Sequence, residues 1–490
     1  MKSRRIMVSL CLLMIAAGTC TSQTWTPLAH QPGVNLGPML QLRDGRIIAH
    51  EEQSGNPRNW WVLTPDVTGS YVNGTWSSGG QLPVGYAPFY FGSQVLLDGH
   101  TVVIEGGEYN NGSAAWTNLG ARLTYSGNSF NWVANAPPAG WSTIGDAESV
   151  TLPNGTYMQS NCCTAQNALY TGPNSWLMTG SVLQPSNDES GFTLLTNNKV
   201  LTVDAKFNST CATNRGSELY DQGTGLWSCG PQTPVQLYNA ADEELGAAVM
   251  MYNNKVIQFG GNVVATAIYD VASGTWTAGP VPTGGLDQAD GPAALEPNGK
   301  VLAMLSPGLF QPGCQFVEYN PNTNSLSNAP NPANCPADSS FVGHLMILPT
   351  GQIMFTDLSG LVEVYAPASG IVAAARPTIV AASTHLMRGS FNNLLYGKQL
   401  NGLSENNAYG DDYQGSTNYP LVKLTDISTG NVYWAPTHDE STHSIAPGTI
   451  MYTKFDIPAS LPAPPSGGTD YNESLCVNGI CSFPIHVIVQ

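Results

Sequence analysis

The stretch VLLDGHTVVIEGG, residues 95–107, decides the fold. An apolar run meets the Asp98–Gly99 turn, a second apolar run follows, and Gly106 and Gly107 close it, which reads as strand, tight turn, strand. The same turn marker recurs at Gly45, Gly99, Gly155, Asn198, Asn254, Gly299 and Gly351, at spacings of 54, 56, 43, 56, 45 and 52 residues. A period of this length made only of short strands predicts a ring of small sheets, one four-stranded sheet per repeat.

The second half of each repeat supplies the outer strands. Tyr269, Gly274 and Trp276 show it best, and Tyr125 with Trp132, Tyr170 with Trp176 and Tyr220 with Trp227 repeat it. Val62 to Trp76 is a looser version, and Tyr319 to Leu326 lacks the Trp. The seventh repeat stops at Tyr365 without an outer strand, whereas Thr24, Trp25, Thr26 and Pro27 resemble the closing strand Thr275 to Pro280. Pairing the two ends removes two open edges, so the N-terminal segment near Trp25 is expected to complete the last sheet. Beyond Arg376 and Pro377 the turn chemistry changes. Tyr419 to Leu424 and Asn431 to Trp434 read as strands around an Asp426 to Gly430 turn, and a compact β-sandwich fits residues 376–490.

Residues 1–22, basic at Lys2, Arg4 and Arg5 and then apolar from Ile6 to Ala17, read as a secretory signal peptide. Cys20 raises lipid anchoring as an alternative. No later segment is long and apolar enough for a membrane span. Without residues 1–22 the chain has 14 basic and 34 acidic side chains, a formal charge of −20, which argues against nucleic acid as a partner. Gly (52) and Pro (35) are abundant and no 3.6-residue stripe appears, so strands organise the fold. Eight cysteines remain, an even number suited to disulfides in an exported protein. Cys211 with Cys229, Cys314 with Cys335, and Cys476 with Cys481 are spaced for local loops. Cys162 and Cys163 either find separate partners or bond to each other as a stiff apolar platform.

The glycine pair, Tyr and Trp of each repeat resemble kelch repeats. Seven of them followed by an immunoglobulin-like domain are similar to the architecture of galactose oxidase and glyoxal oxidase. The resemblance implies an all-β chain: a seven-bladed kelch-type β-propeller over residues 23–375 and a C-terminal immunoglobulin-like β-sandwich over 376–490. It also implies a copper site of two tyrosines and two histidines, one tyrosine cross-linked to a cysteine. The counterparts here are His443 in the last domain and His344 in the seventh repeat. Phe341, Val342 and Gly343 precede His344, so the tyrosine of that pair is missing. The second repeat has no cysteine, and Asp146 and Glu148 fall where the cross-linked tyrosine belongs. The radical site is therefore not expected. His344 also reads as a core histidine bonded to a carbonyl, and His443 as a loop histidine. His438, Asp439 and Glu440 beside it offer further metal-binding groups.

Nine residues before each turn marker lies the start of the innermost strand: Leu36, Tyr90, Asp146, Glu189, Leu245, Asp290 and Val342, with Glu244 just before Leu245. Four consecutive repeats thus bring a carboxylate to one height at a channel entrance, with Glu148, Asp188, Glu243 and Asp287 close by. Such crowding raises carboxyl pKa values or recruits a cation. The acids could cap strand backbones, hold a hard cation such as calcium, or bind sugar hydroxyls and act as an acid–base pair. Tyr86, Phe89, Tyr90, Phe91 and Phe192 supply aromatic surface for a sugar or pack between sheets. The expected function is binding of an extracellular ligand, a carbohydrate or another small molecule, at this acidic mouth, with Asp146, Glu148, Asp188, Glu189, Glu244, Asp290, Tyr90, Cys162 and Cys163 as contacts. A copper-dependent oxidase with altered ligands (His344, His443, Tyr90) and a carboxylate-based glycan lyase or hydrolase are the alternatives. Calcium or copper is the possible cofactor.

Overall fold

The computed structural model describes residues 23–52, 57–410, 412–413 and 415–490. The expected signal peptide, residues 1–22, lies outside the described residues. The described chain is all-β apart from two short 3-10 turns, Ser340–Val342 and Ala373–Ala375.

Antiparallel four-stranded meanders dominate. The first runs from Leu36–Gln41 through Ile47–Glu51 and Asn59–Thr64 to Thr75–Gln81. The same inner-to-outer order starts again at Gly92–Val95, Ser149–Thr151, Thr193–Leu194, Leu245–Met250, Ala293–Leu295 and His344–Ile347. These innermost strands neighbour one another in chain order, and His344–Ile347 returns to Leu36–Gln41, an arrangement consistent with a propeller. They are buried on both faces, Leu36–Gln41 along its whole length, because each is covered by its neighbours and by the axis. The turn markers share one conformation. Gly45 (φ 79°), Gly99 (φ 80°), Asn198 (φ 66°) and Asn254 (φ 65°) all sit in the left-handed region, which Gly and Asn enter at least cost.

Four outer strands are fixed by cross-strand Tyr–Trp pairs, whereas the expected Tyr125–Trp132 pair does not form: Tyr125 stands opposite Phe130 and Trp132 opposite Leu123. Tyr170, Tyr220 and Tyr269 stand opposite Trp176, Trp227 and Trp276, with ring centroids 5.2, 5.3 and 5.1 Å apart. Tyr365 stands opposite Trp25 in the same way, at 5.0 Å, because Thr24–Pro27 pairs antiparallel with Glu363–Ala366. Trp25 also packs against Phe316 and Phe355 and donates its indole N–H to the Pro330 carbonyl at 2.8 Å.

After residue 376 two further sheets enclose a separate core. One contains Thr378–Ala382, Asn393–Lys398, Met451–Phe455 and Thr437–His438; the other is built on Leu421–Asp426, Thr469–Val477 and Ile485–Val489. Leu395, Val422, Leu424, Phe455, Tyr471 and Val487 fill the space between them. These sheets lie against the turn end of the ring. A Cβ on Gly45 would strike the Trp434 ring at 2.5 Å, and one on Gly99 the Thr437 carbonyl at 2.5 Å. The contact is locked by Arg43, whose guanidinium donates two bonds of 2.8 Å to the Glu440 carboxylate with both side chains fully buried. Burial alone would raise the Glu440 carboxyl, but Arg43 with His443 pulls it down to about 2.

From this base the described residues of segment 404–419 (404–410, 412–413 and 415–419) run through the ring. Ser404 bonds the Met250 carbonyl at the turn end, Asn406 reaches Leu295, and Asn407–Ala408 adds a strand to Ala293–Leu295. The segment turns back near Asp412, and Tyr413 and Tyr419 then donate to the carbonyls of Met39 and Gln41. It thus fills the axis and presents its tip at the far entrance.

Removing the indole from the outermost strand tests ring closure directly. Trp25→Ala is expected to lower stability to unfolding by about 2–3 kcal/mol, below the full core value because the ring is half-buried, as read from denaturant midpoints.

Candidate functional site

The entrance opposite the docked sheets is built from residues just ahead of the innermost strands. Tyr90, Asp146, Glu189 and Asp290 precede the strands that begin at Gly92, Ser149, Thr193 and Ala293, and Glu244 precedes Leu245. A residue ahead of a strand is released from the two-residue alternation and can face the axis. The backbone does so at a cost: Tyr90 (φ 53°), Glu189 (φ 63°) and Asp290 (φ 45°) adopt left-handed conformations that disfavour side chains. Before Asp146 the same role falls to Gly145 (φ 70°), where a Cβ would meet the Cys162 sulfur at 2.4 Å.

Two groups result. Carboxyl oxygens of Glu189, Glu244 and Asp290 lie within 4.8 Å of one another, as do those of Asp146 and Asp188 with the Cys162 sulfur. The sequence-predicted acids are therefore together, and three more groups join them. Glu108 faces Asp146 and Asp188; Asp412, from the tip of the axial segment, acts on Asp146, Asp290 and Tyr90. Lys206 supplies a positive charge, 3.0 Å from Asp188 and also paired with Glu243. Burial first and mutual repulsion second raise Asp146, Glu189 and Asp290 far above the carboxylate range. Glu244, 8% exposed, is pushed up to about 10 by burial and by the Glu189 charge. Glu148 lies beneath the mouth, fully buried, with Ser190 3.4 Å from one oxygen.

Cys162 and Cys163 bond to each other, which decides between the two readings of that pair, and the other three disulfides join the cysteines grouped by spacing. Trp116, 44% exposed, stands against Gly145 above this disulfide. Tyr90 meets Tyr109 with ring centroids 6.2 Å apart. By contrast Tyr86, Phe91 and Phe192 turn into the core: Tyr86 donates to the Gly106 carbonyl, Phe91 packs on His50, and Phe192 on Trp227. Glu108, Trp116 and Asp412 escaped the count by repeats because they follow the second strand or come from the other end of the chain. A signal for Glu108 was present, since it directly follows the glycine pair that ends the second strand at the same entrance.

The histidines differ in their surroundings. His443 faces Glu440 through Nδ1 at 3.3 Å and Asn418 through Nε2 at 3.2 Å, which leaves neither ring nitrogen free for a metal. His438 sits between Asp439 and Asp456. His344 is buried and stacked at 5.4 Å on Tyr409; burial lowers its pKa to about 3, so its imidazole stays neutral. The described cysteines do not fit a copper site that needs a tyrosine–cysteine cross-link. Every described cysteine is held in a disulfide, so none is left to cross-link a tyrosine.

Comparison with known proteins adds a likeness of fold. No protein-family model and no curated protein matches the sequence. Among solved structures, a fungal alcohol oxidase of the AA5 family in complex with copper superposes with a TM-score of 0.53 at 14% identity, over 95% of this chain and 98% of that one. Virginiamycin B lyase from Staphylococcus aureus gives 0.49 at 11% identity over 71% of this chain and 99% of the lyase. The extracellular domain of a hybrid two component system from B. thetaiotaomicron gives 0.47 at 12% identity, over 78% and 45%. The first of these shows a likeness of fold alone, consistent with a propeller.

Carboxyls with raised pKa bind protons that the unfolded chain releases, so they stabilise the fold fully below about pH 4.5 and lose that contribution as pH rises through their folded values. Burial places Asp204 and Glu296 at about 8 and Glu405 and Glu473 at about 7, besides Glu244. Glu440 has the opposite sign and is lost below about pH 4.5. Thermal melts in chelator are expected to show greatest stability near pH 5 and a loss of at least about 2 kcal/mol by pH 8.

Proposed function

We propose that the chain is an exported seven-bladed kelch-type propeller (residues 23–375) with a docked immunoglobulin-like sandwich (376–490), which binds an extracellular carbohydrate at the acidic mouth. The observation that carries this reading is the convergence of carboxyl groups from consecutive innermost strands, and from the axial segment, on one opening flanked by Trp116, Tyr90 and Tyr109. Carboxyl oxygens accept hydrogen bonds from hydroxyls, and protonated carboxyls donate them. Trp116 and the exposed Cys163 of the disulfide offer an apolar surface beside these groups for the C–H face of a sugar ring. The four disulfides suit an oxidising compartment, and among the described residues no helix is long and apolar enough to cross a membrane.

A glycan array followed by titration calorimetry tests this. Binding is expected for the wild-type chain, to weaken about tenfold in Trp116→Ala, and to vanish in the Asp146→Ala, Glu189→Ala, Asp290→Ala triple variant. A wild-type chain that binds no glycan, or a triple variant that binds as well, refutes it.

A second reading, a carboxylate-based glycan lyase or hydrolase, is favoured by Glu244. It stays protonated at neutral pH beside other acids, the pairing that acid–base chemistry uses. Product analysis on a bound polysaccharide separates the two: turnover that Glu244→Gln abolishes while binding persists marks an enzyme.

A further inference from the structure

We infer that Glu189, Glu244 and Asp290 form a binding site for one hard divalent cation of the calcium class, facing the ring axis. Oxygens bound to one calcium ion at about 2.3–2.6 Å lie at most about 4.6–5.2 Å apart, and these three carboxyls each offer an oxygen within 4.8 Å of the other two. The ligands come from three consecutive repeats, at residues that precede the innermost strands Thr193–Leu194, Leu245–Met250 and Ala293–Leu295, so the ring itself sets their separation.

Within the triad, Glu244 Oε2 and Asp290 Oδ1 lack a hydrogen-bond partner, and Glu244 is 8% exposed. Asp146, outside the triad and 5% exposed, has an unpartnered Oδ1, and its charge bears on Glu189, Glu244 and Asp290 alike. Buried polar atoms are normally satisfied, so the unpartnered oxygens of Glu244 and Asp290, on carboxyls that hydrogen-bond to each other through their other atoms, leave a place for a positive partner. Lys206 does not fill that place, since it is committed to Asp188 and Glu243.

The identity of the ion follows from the donors. The triad offers oxygen alone, which suits calcium, magnesium or manganese and disfavours copper and zinc, which take imidazole or thiolate. The open entrance and the staggered origin of the ligands suit the irregular, high coordination of calcium better than the strict octahedron of magnesium. Positions not taken by the three carboxyls face the mouth. There the ion could also hold two adjacent hydroxyls of a bound ligand. The ion site itself stands whether or not the carbohydrate reading holds.

The test uses the full mature chain, stripped with EDTA, with no glycan present. Calorimetric titration with CaCl2 is expected to show one site with a Kd no weaker than about 1 mM, the range of extracellular calcium modules, and weaker binding of MgCl2. Asp290→Asn and Glu244→Gln are each expected to weaken calcium at least tenfold, while the exposed control Asp470→Asn leaves it unchanged. Should a triad variant fail to fold, terbium luminescence on the wild-type chain gives the same answer: emission sensitised by Tyr90 and Tyr109 should appear and be competed away by calcium. Absence of calcium binding up to about 10 mM by a folded wild-type chain, terbium emission that calcium does not displace, or binding indifferent to both triad substitutions overturns the inference. Because ion binding is read without sugar, its failure is distinguishable from failure of glycan recognition.

Discussion

The hydrogen bonds between segment 404–419 and the innermost strands hold the molecule in its form. Inner strands of a ring leave polar backbone groups facing the axis, and such groups are costly when buried without partners. Here they are met by side chains from the far end of the chain: Ser404 at Met250, Asn406 at Leu295, Tyr413 at Met39 and Tyr419 at Gln41, while the Ile347 amide donates to Asn407. The C-terminal sheets are therefore part of the ring's interior as well as a cap on its turn face. The buried Arg43–Glu440 pair fixes how they sit, since neither charge is tolerable alone at full burial.

The same segment sets the electrostatics of the mouth. By filling the channel it keeps bulk water from reaching the acids from below, and by ending at Asp412 it adds one more carboxyl to the cluster. Mouth acids are thus crowded from the side by neighbouring repeats and desolvated from beneath by the axial segment. Proton uptake or cation capture relieves both pressures, and left-handed backbones at Glu189 and Asp290 show that the fold bears a local cost to keep these side chains aimed inward.

Much of this was legible in the residues. The period of Gly and Asn turns located every innermost strand, since those residues enter the left-handed conformation such tight connections need at least cost. The missing Trp after Tyr365 and the spare Trp25 pointed to each other because the outer strands at Trp176, Trp227 and Trp276 are pinned by the same Tyr–Trp pair. Counting back from the turns found Asp146, Glu189, Glu244 and Asp290 because a repeat fixes height. What could not be counted came from outside the repeat. Asp412 reaches the mouth only through tertiary folding, Trp116 sits in an irregular connection, and the choice between core and mouth for Tyr90, Phe91 and Phe192 depends on strand alternation at single-residue precision. His344 and His443 looked alike in sequence, yet one stacks on Tyr409 and the other bridges Glu440 and Asn418.

The pairing of Thr24–Pro27 with Glu363–Ala366 also orders events in time. The strand that leaves the ribosome first must wait, unpaired, until nearly the whole circle has been synthesised before its partner exists. Contacts this distant in sequence are slow to form, and the waiting edges on both sides are adhesive. Closure therefore cannot precede synthesis of Glu363–Ala366, and until then the edge that Thr24–Pro27 will cover does not yet exist.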